Sequence, residues 1–325
     1  MKRRYLPGIV LFLLILLVTM ACQKSEEQTK RKKQLTVITT LFPLYDFARN
    51  IAGDSATVSL LLPPGVEAHS FEPKAGDMVK INAADIVFYT GKYMEPWAED
   101  ILRGVDNKNL LAVDTSKGVT LVEGSEGHPH DRDSARSVEH RETDSDHHGR
   151  TDPHIWLDFT NAKVMVDNIA LALISKDPAN KSLYTRNAEI YKTKLDDLDR
   201  RFREGFSDCK KRIFVHGGHS AFNYLAKRYN LQYVSAYHGS PDSEPTPKQL
   251  IALKKIVQEQ GVRFVYYEEL ITPRIAEVLA RETGAKPLKL HGVHNVTKEE
   301  FEKGVSFLSI MEENLANLRV GLECR

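Results

Sequence analysis

Twelve histidines are spread unevenly along the 325 residues, and neutral imidazole is the commonest protein ligand for zinc and its neighbours in the transition series. Five of them, His128, His130, His140, His147 and His148, crowd residues 123–150, a stretch that also carries eight acids and four arginines and has almost nothing to bury. The other seven are His69, His154, His216, His219, His238, His291 and His294, mostly single residues at the edges of segments with regular apolar patterning. Singles at the edges of ordered elements can converge on one folded metal site. A crowd in a polar, unpatterned stretch fits a looser metal-collecting loop. The chemistry to expect is metal binding.

Each candidate has its own local warrant. His69 follows Pro63-Pro64-Gly65-Val66-Glu67-Ala68, a stiff turn just past a predicted strand, and ligands in open α/β sheets collect at the carboxyl ends of strands. His154 lies in Asp152-Pro153-His154-Ile155-Trp156-Leu157-Asp158, with carboxylates able to accept its other ring N–H and fix the tautomer. His219 lies in Phe214-Val215-His216-Gly217-Gly218-His219-Ser220, where a strand is expected to pass through a glycine turn into a helix, and His216 competes with it. For a fourth ligand, His291 and His294 follow a strand ending at Leu290, and Glu268 or Glu269 could supply an oxygen instead. His291 stands first among these four.

Strands that alternate with helices must carry these residues. Residues 35–39, 57–62, 85–89 and 110–113 read as strands, separated by helical spacing over 43–51, 77–84 and 94–102. A strong amphipathic helix is expected over 161–174 and a long charged one over 180–206, stiff enough to act as a spacer. The alternation then resumes, with strands at 212–215, 233–236, 264–267 and 287–290, helices at 220–229, 247–260 and 274–283, and a closing helix over 298–322. The pattern implies an α/β fold with mostly parallel sheets flanked by helices, and roughly 290 residues after the tether favour two domains.

The first residues read as an export signal: Lys2, Arg3 and Arg4, then an apolar core from Ile9 to Met20, too short for a comfortable transmembrane helix. Ala21-Cys22 resembles a bacterial lipoprotein cleavage site, although Thr19 and Met20 depart from its usual residues. Acylated Cys22 would attach the chain to membrane lipid through a polar tether, 22–34. Lys and Arg number 45 against 44 Asp and Glu, and loss of a signal with three basic and no acidic residues leaves the remainder slightly acidic. No basic nucleic-acid surface is indicated. Cys209 and Cys324 are candidates for a disulfide in an oxidising compartment, tying the start of a second domain to the chain's end.

The order of these features resembles the zinc/manganese-type (cluster 9) solute-binding lipoproteins of bacterial metal ABC importers. The residues that carry the resemblance are the Pro-Gly-x-x-x-His turn at 64–69, Asp-Pro-His-x-Trp-Leu-Asp at 152–158 and Gly-His-Ser-Ala-Phe-Asn-Tyr-Leu at 218–225. It implies a lobe over 35–178, a rigid linking helix over 179–207, a second lobe over 208–325, and a metal held between the lobes by His69, His154 and His219. Histidine at 219, where manganese members typically carry glutamate, and the loop at 123–150 point to the zinc branch, with Mn²⁺ the alternative cargo. His291 stands where many relatives have aspartate, which leaves the fourth ligand open. The implied role is extracytoplasmic capture of Zn²⁺ by a monomer and delivery to an ABC permease. A zinc-dependent hydrolase is the competing class, with three histidines and an open position for water. The chain offers it neither His-Glu-x-x-His nor Gly-x-Ser-x-Gly. A surface adhesin is a third reading, for which no residue pattern names a host partner.

Overall fold

The structure is a computed structural model that describes residues 34–124, 151–237, 244–270 and 272–325. The signal with Cys22, the histidines at 128, 130, 140, 147 and 148, and His238 lie outside the described residues.

The first half folds as β1 (Leu35–Thr39), α1 (Phe42–Ala52), β2 (Ala56–Leu60), α2 (Ala75–Ala83), β3 (Ile86–Tyr89), α3 (Ala98–Arg103) and β4 (Leu111–Asp114). Its strands form one sheet in the order β2-β1-β3-β4, every pair parallel. The central strand β3 reads Ile-Val-Phe-Tyr and is buried throughout, as a parallel strand covered on both faces should be. Helices α4 (Phe159–Lys176) and α5 (Lys181–Gly205) follow. Asp158 caps α4 by accepting from the Thr160 and Asn161 N–H groups. The long α5 buries only a stripe, including Tyr184, Ala188, Tyr191, Leu195, Leu198 and Phe202, which explains its charged composition.

The second half repeats the plan. It comprises β5 (Ile213–His219), α6 (Asn223–Arg228), β6 (Gln232–Tyr237), α7 (Pro247–Glu259), β7 (Phe264–Tyr267), α8 (Arg274–Thr283), β8 (Lys286–Lys289), α9 (Lys298–Glu302) and α10 (Phe307–Gly321). Its parallel sheet runs β6-β5-β7-β8, the same order as the first. The two α/β lobes and the long helix match the fold class the alternation predicts.

Three local expectations are corrected. The strand expected to stop at Val215 continues to His219, with a register shift between His216 and His219. Gly217 and Gly218 serve close approach there instead of a turn. A Cβ on Gly217 would lie 2.8 Å from the Ala276 backbone nitrogen, and one on Gly218 would lie 2.1 Å from a Glu268 carboxylate oxygen. The closing helix over 298–322 is two helices: Gly304 adopts φ +70°, and Ser306 starts α10 by accepting from the Ser309 N–H. The helix expected over 94–102 begins only at Ala98, because the Glu95 side chain is bound to Thr40 and to the Thr90 N–H.

The lobes share a core. One apolar cluster runs from Phe42 and Phe47 through Trp156, Tyr191 and Phe202 to Phe214, Tyr266 and Phe307, while each sheet covers its other face with a smaller cluster of its own. Asp46 sits at the junction, fully buried. Its carboxylate accepts from the Tyr191 hydroxyl at 2.8 Å and from the Phe307 N–H at 3.2 Å, joining α1, α5 and the first turn of α10. Burial pushes its pKa up, and Tyr191 and Arg49 oppose the rise. Cys209 and Cys324 form a disulfide across a separation of 115 residues, beside the bridge that pairs the two segments.

Candidate metal site

Four elements deliver one imidazole each to the cleft between the sheets. His69 comes from the turn after β2, His154 from the segment before α4, His219 from the bulged end of β5, and His294 from the connection between β8 and α9. One ligand nitrogen from each lies within 4.8 Å of all the others. The Nε2 atoms of His69 and His154 are 3.3 Å apart, and so are those of His154 and His219. A tetrahedral zinc with Zn–N bonds of about 2.0–2.1 Å has nitrogen–nitrogen edges of about 3.3–3.4 Å. The spacing therefore suits nitrogens arranged around one ion. The Nε2 of His294 is buried and has no hydrogen-bond partner, which suits an atom reserved for an ion.

The far side of three rings rests on carboxylates. His154 Nδ1–H donates to Asp152 Oδ1 at 2.6 Å, and the His154 backbone N–H donates to the same oxygen. Asn223 of the other lobe donates to Asp152 Oδ2 at 2.9 Å, so the group that orients His154 is itself held. His219 Nδ1 lies 2.7 Å from Glu268 Oε2, while its backbone N–H donates to Glu268 Oε1 at 3.1 Å. His294 Nδ1 lies 3.4 Å from Glu269 Oε1, and Glu269 Oε2 accepts the Gly292 N–H at 2.7 Å. The Asp152 contact fixes His154 Nδ1 as the donor, and the carboxylates beside His219 and His294 favour the same tautomer, which leaves Nε2 for a metal.

Burial and the neighbouring rings of His294 and His219 hold the His69 and His154 imidazoles well below the usual histidine range, so both stay neutral. Burial alone would lower His219 too, but the Glu268 carboxylate outweighs it and raises that ring. In return, burial pushes Glu268 up and His219 brings it below its ordinary value. Burial raises Asp152 to about 7 against its hydrogen bonds. A recess beside the rings is lined by Glu67, Glu268 and Glu269, a local negative field that favours a cation.

Of the residues singled out in the sequence, His69, His154, His219 and His294 come together, and His291 does not join them. His291 is buried with Nδ1 3.2 Å from Glu269 Oε1 and Nε2 3.8 Å from Glu300 Oε2. Burial opposes its protonation, but Glu269 and Glu300 raise it to about 9, which makes it a partner for carboxylates. The geometry therefore corrects its first place among the fourth-ligand candidates. Glu268 and Glu269 take outer positions behind His219 and His294. His216 turns away: its Nδ1–H donates to the His219 carbonyl at 3.1 Å. Asn223 was missed as a support, and so was the bond that the buried aromatic beside His154 makes. Trp156 donates its indole N–H to the Gly292 carbonyl at 2.8 Å, a contact between segments far apart in sequence that no local pattern signals.

Known proteins resemble the chain over nearly its whole length. A family model described as zinc-uptake complex component A, periplasmic (ZnuA), matches residues 37–321. The chain is 36% identical over 312 residues to the high-affinity zinc uptake system protein ZnuA of Bacillus subtilis, across 96% of this chain and 94% of that one. It is 33% identical to the zinc-binding lipoprotein AdcA of Streptococcus pneumoniae, where 96% of this chain is covered but it spans only 60% of the relative's length. The solved Zn(II)-bound ZnuA-like domain of Streptococcus pneumoniae AdcA superimposes with a TM-score of 0.73 at 32% identity, over 89% of this chain and 99% of that domain.

Two outcomes follow from the geometry. His294→Ala should weaken zinc binding by more than about 100-fold, whereas His291→Ala should stay within the range of about 10–100-fold typical of groups that support a ligand. Competition with a chromophoric chelator measures both, and a larger loss for His291→Ala would reverse the assignment. The second concerns pH. Burial holds His69 and His154 toward the neutral form in the free protein, whereas Glu268 makes His219 the ring that takes up a proton most readily as pH falls. Affinity should fall as pH drops through the His219 pKa, by about tenfold per unit for one proton displaced. Calorimetry in buffers of different ionisation heat counts the protons, and three or four released per zinc would contradict this.

Proposed function

Because the chain belongs to the periplasmic zinc-uptake component A family, we propose that it captures Zn²⁺ outside the cytoplasm with His69, His154, His219 and His294 and hands it to a membrane ABC permease. The observation that carries the ligand set is the 3.3 Å spacing of Nε2 atoms at the meeting of four elements. Four nitrogens and no oxygen in the inner set favour zinc over manganese, which prefers more oxygen ligands. The same set argues against hydrolysis, since a tetrahedron filled by four imidazoles has no position left for an activated water. The chain is a receptor, and the metal is its cargo.

Three further parts of the reading are proposals. Cys22 carries the acyl chains that keep the receptor at the membrane, and no helix among the described residues is long and apolar enough to cross one. The histidines at 128, 130, 140, 147 and 148 hold additional zinc loosely and raise its concentration near the cleft. The receptor works as a monomer, because a single chain supplies all four rings.

Native mass spectrometry tests the core of this. The chain from residue 23, stripped of metal and offered equal Zn²⁺ and Mn²⁺, should retain one tightly bound zinc with or without residues 125–150, and take up extra, weaker zinc only when they are present. Retention of manganese, or loss of tight binding once 125–150 are removed, would refute the four-imidazole site. The anchor is tested separately in cells, where Cys22→Ala should move the protein from the membrane fraction into the soluble one.

A further inference from the structure

Val293 is fully buried and has φ +63°. A β-branched residue in the left-handed region is a true backbone outlier, and such a conformation persists only where its surroundings over-determine it. Those surroundings are explicit. On one side, the Gly292 carbonyl is held by the Trp156 indole. On the other, the Phe42 N–H donates to the His294 carbonyl at 3.1 Å and the Gly65 N–H to the Val296 carbonyl at 2.8 Å. Asn295, fully buried, completes the set. Its Nδ2 donates to the carbonyls of Pro63 at 2.7 Å and Val66 at 2.9 Å, and its Oδ1 accepts the Val296 N–H at 2.9 Å. Two carbonyls require the NH₂ and one N–H requires the oxygen, so the amide can be oriented only one way.

The turn at Pro63–Val66 leads into His69, and the segment around Asn295 carries His294, yet the two are 229 to 232 residues apart where Asn295 joins them. We infer that Asn295 is a positioning residue for metal binding: it staples the His69 turn to the His294 segment, and the strained Val293 backbone is held by that staple. The two rings are thereby set as one unit before the metal arrives, which lowers the ordering cost of coordination. The inference rests on the four-imidazole reading of the site. The amide acts through the backbone carbonyls on which it is spent. The staple also places His294 on the frame of the first lobe with His69 and His154, and leaves His219 as the ligand mounted on β5 of the second.

Co²⁺ serves as the probe, because a tetrahedral nitrogen site gives it an intense visible absorption that higher coordination does not. The spectrum, the zinc release rate to a chelator and the melting temperature would be measured on the chain from residue 23. The variants are Asn295→Asp, Asn295→Ser, His69→Ala, and His69→Ala with Asn295→Ser. Asn295→Asp sets a carboxylate against two carbonyls, whereas Asn295→Ser is small and reaches at most one. Both should weaken the Co²⁺ band and release zinc at least about tenfold faster, the scale on which supports of metal ligands act. In the His69→Ala background Asn295→Ser should accelerate release by less than it does alone, the signature of two residues working through one contact. If Asn295→Asp does not fold, Asn295→Ser and the double variant carry the test. Variants that melt lower but keep the wild-type band and release rate would overturn the proposal and leave a merely structural amide. A wild-type chain with no tetrahedral Co²⁺ band would overturn the four-imidazole reading, and the proposal with it.

Discussion

The structure depends on the pairing of buried imidazoles with buried carboxylates. Asp152, Glu268 and Glu269 are each less than a tenth exposed, and so are His154, His219 and His294, which they touch. Neither kind of group would be tolerated there alone, since an unpaired buried charge shifts its pKa and neutralises or costs several kcal/mol. Together they divide the task. Each carboxylate sits behind one ring nitrogen, and the other nitrogen is left facing the cleft. The negative charge behind the rings then offsets the two positive charges of an ion that the neutral inner nitrogens cannot offset.

The scaffold explains how groups from distant parts of the chain can be held to the tolerance that coordination demands. Two sheets with the same strand order present their carboxyl ends to one cleft, and helices α1, α4, α5 and α10 contribute to one apolar cluster that both lobes share. Hydrogen bonds across the cleft join Asn223 to Asp152, Trp156 to Gly292, and Phe42 to His294. The lobes are thus tied close to the metal position as well as through the long helix.

Much of this was legible in the sequence, for identifiable reasons. Period-2 and period-3.6 patterning located nearly every strand and helix, because parallel strands buried on both faces and amphipathic helices leave strong local signals. His69, His154 and His219 were legible because each stands at the edge of an element beside stiff or small neighbours. The order of His291 and His294 was not. Both follow β8 within a few residues, and the choice between them turns on the left-handed Val293, a backbone state with no residue signature. The paired glycines before His219 read as a turn because glycine usually makes one. Only the three-dimensional neighbours Ala276 and Glu268 reveal that they leave room for close contact. The break near Gly304 was masked by the helical spacing on either side of it.

The Asp46 junction has a consequence for how the molecule is made. The carboxylate that steadies the first helix accepts a hydrogen bond from an N–H 261 residues later, and the N-terminal core is finished by side chains of the last helix, including Phe307 and Leu318. Contacts of such range are slow to form and must wait for both partners. A chain that emerges N-terminus first therefore has to keep its early hydrophobic segments uncommitted until almost the last residue has appeared. The same late contacts delay the cleft in which His69, His154, His219 and His294 meet, because its two halves cannot be set until both ends of the chain have packed.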